Sequence, residues 1–110
     1  MYEYRAALLR VVDADTLWLE VDVGLDIRNR LTVRLYGLNA PEKSTAAGAA
    51  ATGYTTRWLT ATPRLGLRTV KDKREKYGRY LGIVYDLDQP DAPTLNELLV
   101  ADGHAQPYMP

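Results

Sequence analysis

Two stretches of two-residue alternation constrain this chain more than any other feature in it. From Thr16 to Val23 the aliphatic residues Leu17, Leu19, Val21 and Val23 alternate with Trp18, Glu20 and Asp22, and from Leu31 to Tyr36 the residues Leu31, Val33 and Leu35 alternate with Thr32, Arg34 and Tyr36. Successive side chains of an extended chain point to opposite faces, so each stretch reads as a strand with one apolar face, and Arg34 lies on the face away from the aliphatic row. The extended-compatible run Tyr4 to Val12 precedes them and joins the second strand at Asp13-Ala14-Asp15. Arg64 to Val70 and Arg79 to Asp86 read as a hairpin, separated by a charged stretch with Gly78 as a turn residue. Gly37 to Pro41 ends the third strand, because proline has no N–H for a ladder and restricts the residue before it.

Helical signals occupy two intervals between and after these strands. Ala47, Ala51, Tyr54 and Trp58 recur at helical spacing in the alanine-rich segment 46–61, which Pro63 stops. Gly48 and Gly53 each cost about 1 kcal/mol relative to alanine inside a helix, so the first turns read as a loop and helix is expected from Tyr54 onward. Thr94-Leu95-Asn96-Glu97 fits a capping box, Leu95, Leu98 and Leu99 supply an apolar face, and Gly103 can terminate the helix. Five strands, with one helix after the third and another after the fifth, predict an α+β fold: a partly closed, five-stranded OB-type β-barrel decorated with two or three helices.

A chain of 110 residues is expected to form one domain spanning 1–110. Its 46% hydrophobic and 25% charged residues suit a globular protein with a packed core. No apolar run approaches the roughly 20 residues a membrane-spanning helix needs, and Met1-Tyr2-Glu3-Tyr4-Arg5 lacks the basic-then-apolar pattern of an export signal. No membrane partner is expected, the compartment stays open, and the expected state is a monomer. The absence of cysteine excludes disulfides and thiolate metal sites. Fourteen Lys plus Arg balance fourteen Asp plus Glu, which argues against coating DNA through a broad positive field. Positive charge is concentrated locally, where Arg68, Lys71, Lys73, Arg74, Lys76 and Arg79 face only Asp72 and Glu75. Alone, such a run reads as a solvated hairpin.

Cutting a phosphodiester needs charge on the phosphate, a cation or donors for developing negative charge, an activated water and relief for the leaving oxygen. Three short clusters offer these. Asp13 and Asp15 flank Ala14 at a strand end, where two carboxylates attract a hard cation, although an aspartate pair at a turn by itself more often accepts backbone N–H bonds. The run Arg34 to Glu42 brings a guanidinium, the Asn39 amide oxygen and the Glu42 carboxylate to the mouth of the third strand. Lys76-Tyr77-Gly78-Arg79 adds a tyrosine and a second guanidinium. Two arginines hold a phosphate through paired hydrogen bonds that lysine, a point charge, does not imitate; either one alone is as readily a surface ion-pair partner. His104 follows Gly103 beyond the last helix and reads as a surface or cap residue away from these clusters, while Trp18 and Trp58 read as core or partly buried aromatics.

Taken together, Val11 to Thr16, Arg34-Leu35 through Asn39-Ala40-Pro41-Glu42, Asp72 to Gly82 around Lys76-Tyr77-Gly78-Arg79, and Asn96 to Gly103 resemble the staphylococcal nuclease family in order and spacing over nearly the whole chain. The resemblance implies an OB-type barrel and a calcium-dependent endonuclease acting on DNA, RNA or both. It implies one divalent cation held by the side chains of Asp15 and Asn39 and by the backbone carbonyl of Ala40, with Asp13 behind them or holding a metal-bound water. Arg34 and Arg79 would clamp the phosphate, and Glu42 would activate or orient the attacking water. Tyr77, with Lys76 beside it, and Tyr108 would border the nucleotide. Family members often have aspartate where this chain has Asn39, which removes one negative charge from the metal site. The alternative is a noncatalytic module on the same barrel that binds nucleic acid or a protein, with Asn39 its best evidence. Against it stands the joint presence of Asp15, Arg34, Glu42 and Arg79.

Overall fold

Strands with one apolar face bury it by curling around a shared core, and here the sheet closes on itself. The computed structural model describes residues 2–74 and 79–108. Its barrel consists of β1 (Tyr2–Asp13), β2 (Thr16–Asp22), β3 (Arg28–Leu35), β5 (Leu65–Arg74) and β6 (Tyr80–Asp86), in the order β1-β2-β3-β6-β5. Two two-residue strands, β4 (Leu38–Asn39) and β7 (Gln106–Pro107), pair outside it. The expectation of a partly closed barrel is corrected to a closed one. The cause is the length of β1: Tyr2 to Ala6 pairs with β5, while Arg5 to Asp13 pairs with β2 across irregularities after Leu8 and Val11. One strand therefore serves two neighbours and leaves no open edge.

The alternating residues behave as their period dictates. Leu17, Leu19, Val33, Leu67 and Val84 are fully enclosed, and Leu95 and Leu99 pack on them from α2 (Leu95–Ala101). Each such side chain contributes about 1.5–3 kcal/mol by leaving water. Val23 departs from the pattern and is exposed, because β2 ends at Asp22 in a turn whose Leu25 and Asp26 have left-handed backbone (φ 55° and 61°). Trp18 and Trp58 are half-buried, as expected.

Helix α1 (Ala46–Ala61) corrects the reading of its first turns as a loop. Thr45 caps it, its hydroxyl accepting from the Gly48 N–H at 3.0 Å, and this satisfies one of the amides that a helix start leaves unpaired. Gly48 is buried, and a Cβ there would run into the backbone of Glu42 and Lys43. The glycine that weakens helix propensity is thus what lets the helix start beside the segment carrying Glu42. Further along, the buried Thr55 hydroxyl donates to the carbonyl of Ala14 at 2.8 Å and fastens α1 to the β1–β2 turn. Helix α2 begins with the predicted capping box: Thr94 Oγ1 accepts from the Glu97 N–H at 3.1 Å and the Glu97 carboxylate from the Thr94 N–H at 2.9 Å.

Candidate active site

Strand register decides which polar residues meet. The β1–β2 turn presents Asp13 and Asp15, and Thr16, the first residue of β2, pairs with Arg34 on β3. Strand β6 runs parallel to β3, pairing Val33 with Tyr80 and Arg34 with Leu81, so Arg79, just before β6, reaches the same end of the barrel as Arg34 although 45 positions separate them in sequence. The turn at Tyr36-Gly37 then folds β4 back across this end. Asp13, Asp15, Thr16, Arg34, Asn39, Ala40, Pro41, Glu42 and Arg79 together line one cleft of about 190 Å³. Every residue expected to hold metal or act on phosphate is among them.

A hydrogen-bond web organises this cleft. Asp15 is only 6% exposed. Its Oδ2 accepts from Arg34 Nη1 at 3.0 Å and from the Ala40 N–H at 3.0 Å, and its Oδ1 accepts from the Thr16 hydroxyl at 3.2 Å. Arg34 Nη2 donates to Asn39 Oδ1 at 2.8 Å and to the Leu38 carbonyl at 3.3 Å. One guanidinium thus lies across both side chains expected to hold the cation. Glu42 stands where the chain turns into α1, and its backbone carbonyl accepts both the N–H (3.0 Å) and the hydroxyl (2.7 Å) of Thr45. Lys43 reaches back to the Val12 carbonyl at 3.0 Å and ties this turn to β1.

The donors are all oxygens: the Asp15 and Asp13 carboxylates, the Asn39 amide and the Ala40 carbonyl. Such a set fits a hard cation such as calcium, which takes about 6–8 oxygen ligands, and suits neither copper nor a thiolate metal. Among the described residues no three acidic, histidine or cysteine side chains gather into a cage. A cation here would draw much of its shell from water and substrate.

Some expectations fall elsewhere. Lys76 and Tyr77 lie outside the described residues. Tyr108 is 48% exposed and does not line the cleft; its N–H donates to the Gly37 carbonyl at 2.9 Å. The placement of His104 away from the clusters is corrected. Pairing of β4 with β7 (Asn39 with Gln106, Leu38 with Pro107) brings the chain after α2 back to the site. His104 consequently lines a second depression together with Asn39, Ala40 and Pro41. Asn96, which the sequence marks only as part of a capping box, does more than sit at a helix start. Its Oδ1 accepts from the Val84 N–H at 3.0 Å, and its Nδ2 donates to the carbonyls of Tyr36 (2.9 Å) and Gly82 (3.1 Å). This one buried amide pins α2 to β6 and to the turn after Arg34. The visible signal is a polar residue between two inward-facing leucines.

The His104 ring packs against Tyr54 at 4.8 Å between centroids, and the Tyr54 hydroxyl donates to Asp102 Oδ2 at 2.6 Å. Partial burial, then the Asp102 carboxylate, pushes the Tyr54 phenol up to about 12 from 10.0. The fold favours the neutral phenol, so this stabilisation is intact below pH 10 and is lost as pH rises through about 12. Urea midpoints measured across that window are expected to fall more steeply for the native chain than for Tyr54→Phe.

Comparison with known proteins identifies the family. The family model described as "Staphylococcal nuclease homologue" matches residues 32–109; Asp13 and Asp15 precede the matched stretch. A protein named micrococcal nuclease from Shigella flexneri is 31% identical over 111 residues, covering 96% of this chain and 59% of the relative. A protein named uncharacterized endonuclease from Escherichia coli O157:H7 is 34% identical over 106 residues, covering 92% of this chain and 59% of the relative. The chain therefore spans about three fifths of the length of these relatives. With a family match over residues 32–109, most of a chain in which five strands close into a barrel, this chain belongs to the staphylococcal nuclease family.

Proposed function

We propose that this chain is a calcium-dependent endonuclease that hydrolyses phosphodiester bonds of DNA, RNA or both. The carrying observation is the convergence of Asp15, Arg34, Asn39, Glu42 and Arg79 on one cleft. The names of the relatives, a nuclease and an endonuclease, support the same reading. Asp15, Asn39 and the Ala40 carbonyl would hold the cation, with Asp13 behind them or on a water of the cation. Bound calcium supplies positive charge to a phosphate oxygen and polarises water beside it. Arg34 and Arg79 grip the phosphate and offset the charge that grows on five-coordinate phosphorus. Glu42, at the solvent-facing rim, orients the attacking water or takes its proton. These roles, and one functional domain over 1–110, are part of the proposal.

Because Arg34 already lies on Asp15 and Asn39, cation and guanidinium compete for the same oxygens in the free protein. Calcium binding is therefore weak without substrate and strengthens when a phosphate draws Arg34 away. Calorimetric titration of the free protein with calcium checks this: tight binding contradicts it, and Asn39→Asp is expected to tighten binding by restoring a carboxylate. A noncatalytic nucleic-acid or protein-binding module is the second reading, favoured by the neutral Asn39. Circular plasmid, single-stranded DNA and RNA incubated with calcium, magnesium or excess chelator separate the two. Internal cuts that require calcium support the enzyme, and intact nucleic acid in every tube supports the module.

A further inference from the structure

Beside the catalytic cleft lies the depression of about 240 Å³ that His104 lines. One wall is Asn39-Ala40-Pro41, which is also a wall of the cleft; the other is Gly103 to Gln106. The two walls are held together by the Asn39–Gln106 pairing of β4 with β7. His104 is fixed in place, its N–H donating to the Leu99 carbonyl at 2.8 Å and its ring resting on Tyr54, which Asp102 anchors.

We propose that this depression is a nucleoside subsite, seating the base and sugar next to the phosphate held in the cleft. The inference rests on the phosphodiesterase reading and adds where one flanking nucleoside sits. Its chemistry points to a nucleoside and away from a second phosphate, because among the described residues no lysine, arginine, aspartate or glutamate lines it. Pro41 and Ala105 give an apolar lining, His104 an aromatic ring, and Gln106 an amide that both donates and accepts. A nucleobase presents the complement, a flat apolar face with a polar edge that single-strand binders read by stacking and hydrogen bonds.

His104 is the only histidine in the chain, so its imidazole gives one unambiguous proton resonance. The Glu42→Gln variant, disabled for cleavage, is titrated in calcium with a thymidine dinucleotide and, separately, with inorganic phosphate while that resonance is followed. The dinucleotide is expected to move it and phosphate to leave it in place. In the same background His104→Ala is expected to weaken dinucleotide binding about tenfold, and Gln106→Ala, which spares the Tyr54 contact, about threefold. Dinucleotide binding with an unmoved imidazole signal, an equal movement with phosphate alone, or unchanged affinity in both variants overturns the subsite while the phosphodiesterase reading stands. A dinucleotide that is neither bound by this variant nor cut by the native chain overturns both.

Discussion

Replacing Arg34 with alanine is expected to reduce phosphodiester cleavage by roughly 10³-fold, the scale of losing a donor aimed at developing transition-state charge. Stability is expected to fall as well. Asp15 and Arg34 form a largely enclosed pair, with side chains 8% and 17% exposed. Without the guanidinium, the Asp15 carboxylate keeps, among the described residues, the Ala40 N–H and the Thr16 hydroxyl. Removing one partner of a buried pair typically costs about 3 kcal/mol or more. Arg34→Lys separates the two effects, because it restores a charge beside Asp15 but cannot reach Asp15, Asn39 and the Leu38 carbonyl with one planar fork. Its urea midpoint is expected to recover further than its kcat/KM. Full activity in Arg34→Lys contradicts a forked clamp.

Gly48→Ala is expected to destabilise the protein by about 2 kcal/mol, in the range of overpacking a filled site. Helix propensity alone predicts the opposite sign, a gain of about 1 kcal/mol. The new Cβ would overlap the Glu42 carbonyl and lie 2.8 Å from Cα of Lys43. Both obstacles are backbone, so relief requires the helix start or the Glu42 turn to move, against the Thr45 hydrogen bonds that hold them together. Under the role proposed for Glu42, cleavage is expected to fall at least about tenfold, since a small displacement of a group that positions water is costly. Gly53→Ala is the internal control: its Cβ meets only the end of the flexible Arg57 side chain, at 3.1 Å, and it is expected to stabilise by about 0.5–1 kcal/mol. Denaturant curves that show Gly48→Ala as stable as Gly53→Ala contradict the close approach.

These two glycines mark the boundary between what is local and what is tertiary. Leu17, Leu19 and Val21, like Leu31, Val33 and Leu35, reveal their strands and the outward direction of Arg34, because a period of two needs no knowledge of neighbours. The capping box at Thr94 is equally local. Gly48 misleads because propensity describes an isolated helix, whereas its purpose is contact with the turn at Glu42 and Lys43. The parallel pairing of β3 with β6, which brings Arg79 to the same end of the barrel as Arg34, leaves no periodic trace; only the family resemblance implies that juxtaposition, and the cleft contains the expected residues. Strands β4 and β7 are too short to carry a pattern, so the return of His104 to the site is hidden in the sequence. Asn96 is legible there as part of a helix start and as a polar residue among leucines, whereas the partners of its inward amide are not.

Cleavage of an end-labelled oligonucleotide by the native chain and by Arg79→Ala, in single turnover with calcium or with excess chelator, tests most directly whether this cleft cuts phosphodiesters. The expected result is calcium-dependent internal cutting by the native chain, none in chelator, and a rate at least about 100-fold lower for Arg79→Ala. Cutting that survives chelation, or Arg79→Ala at the native rate, contradicts the assignment.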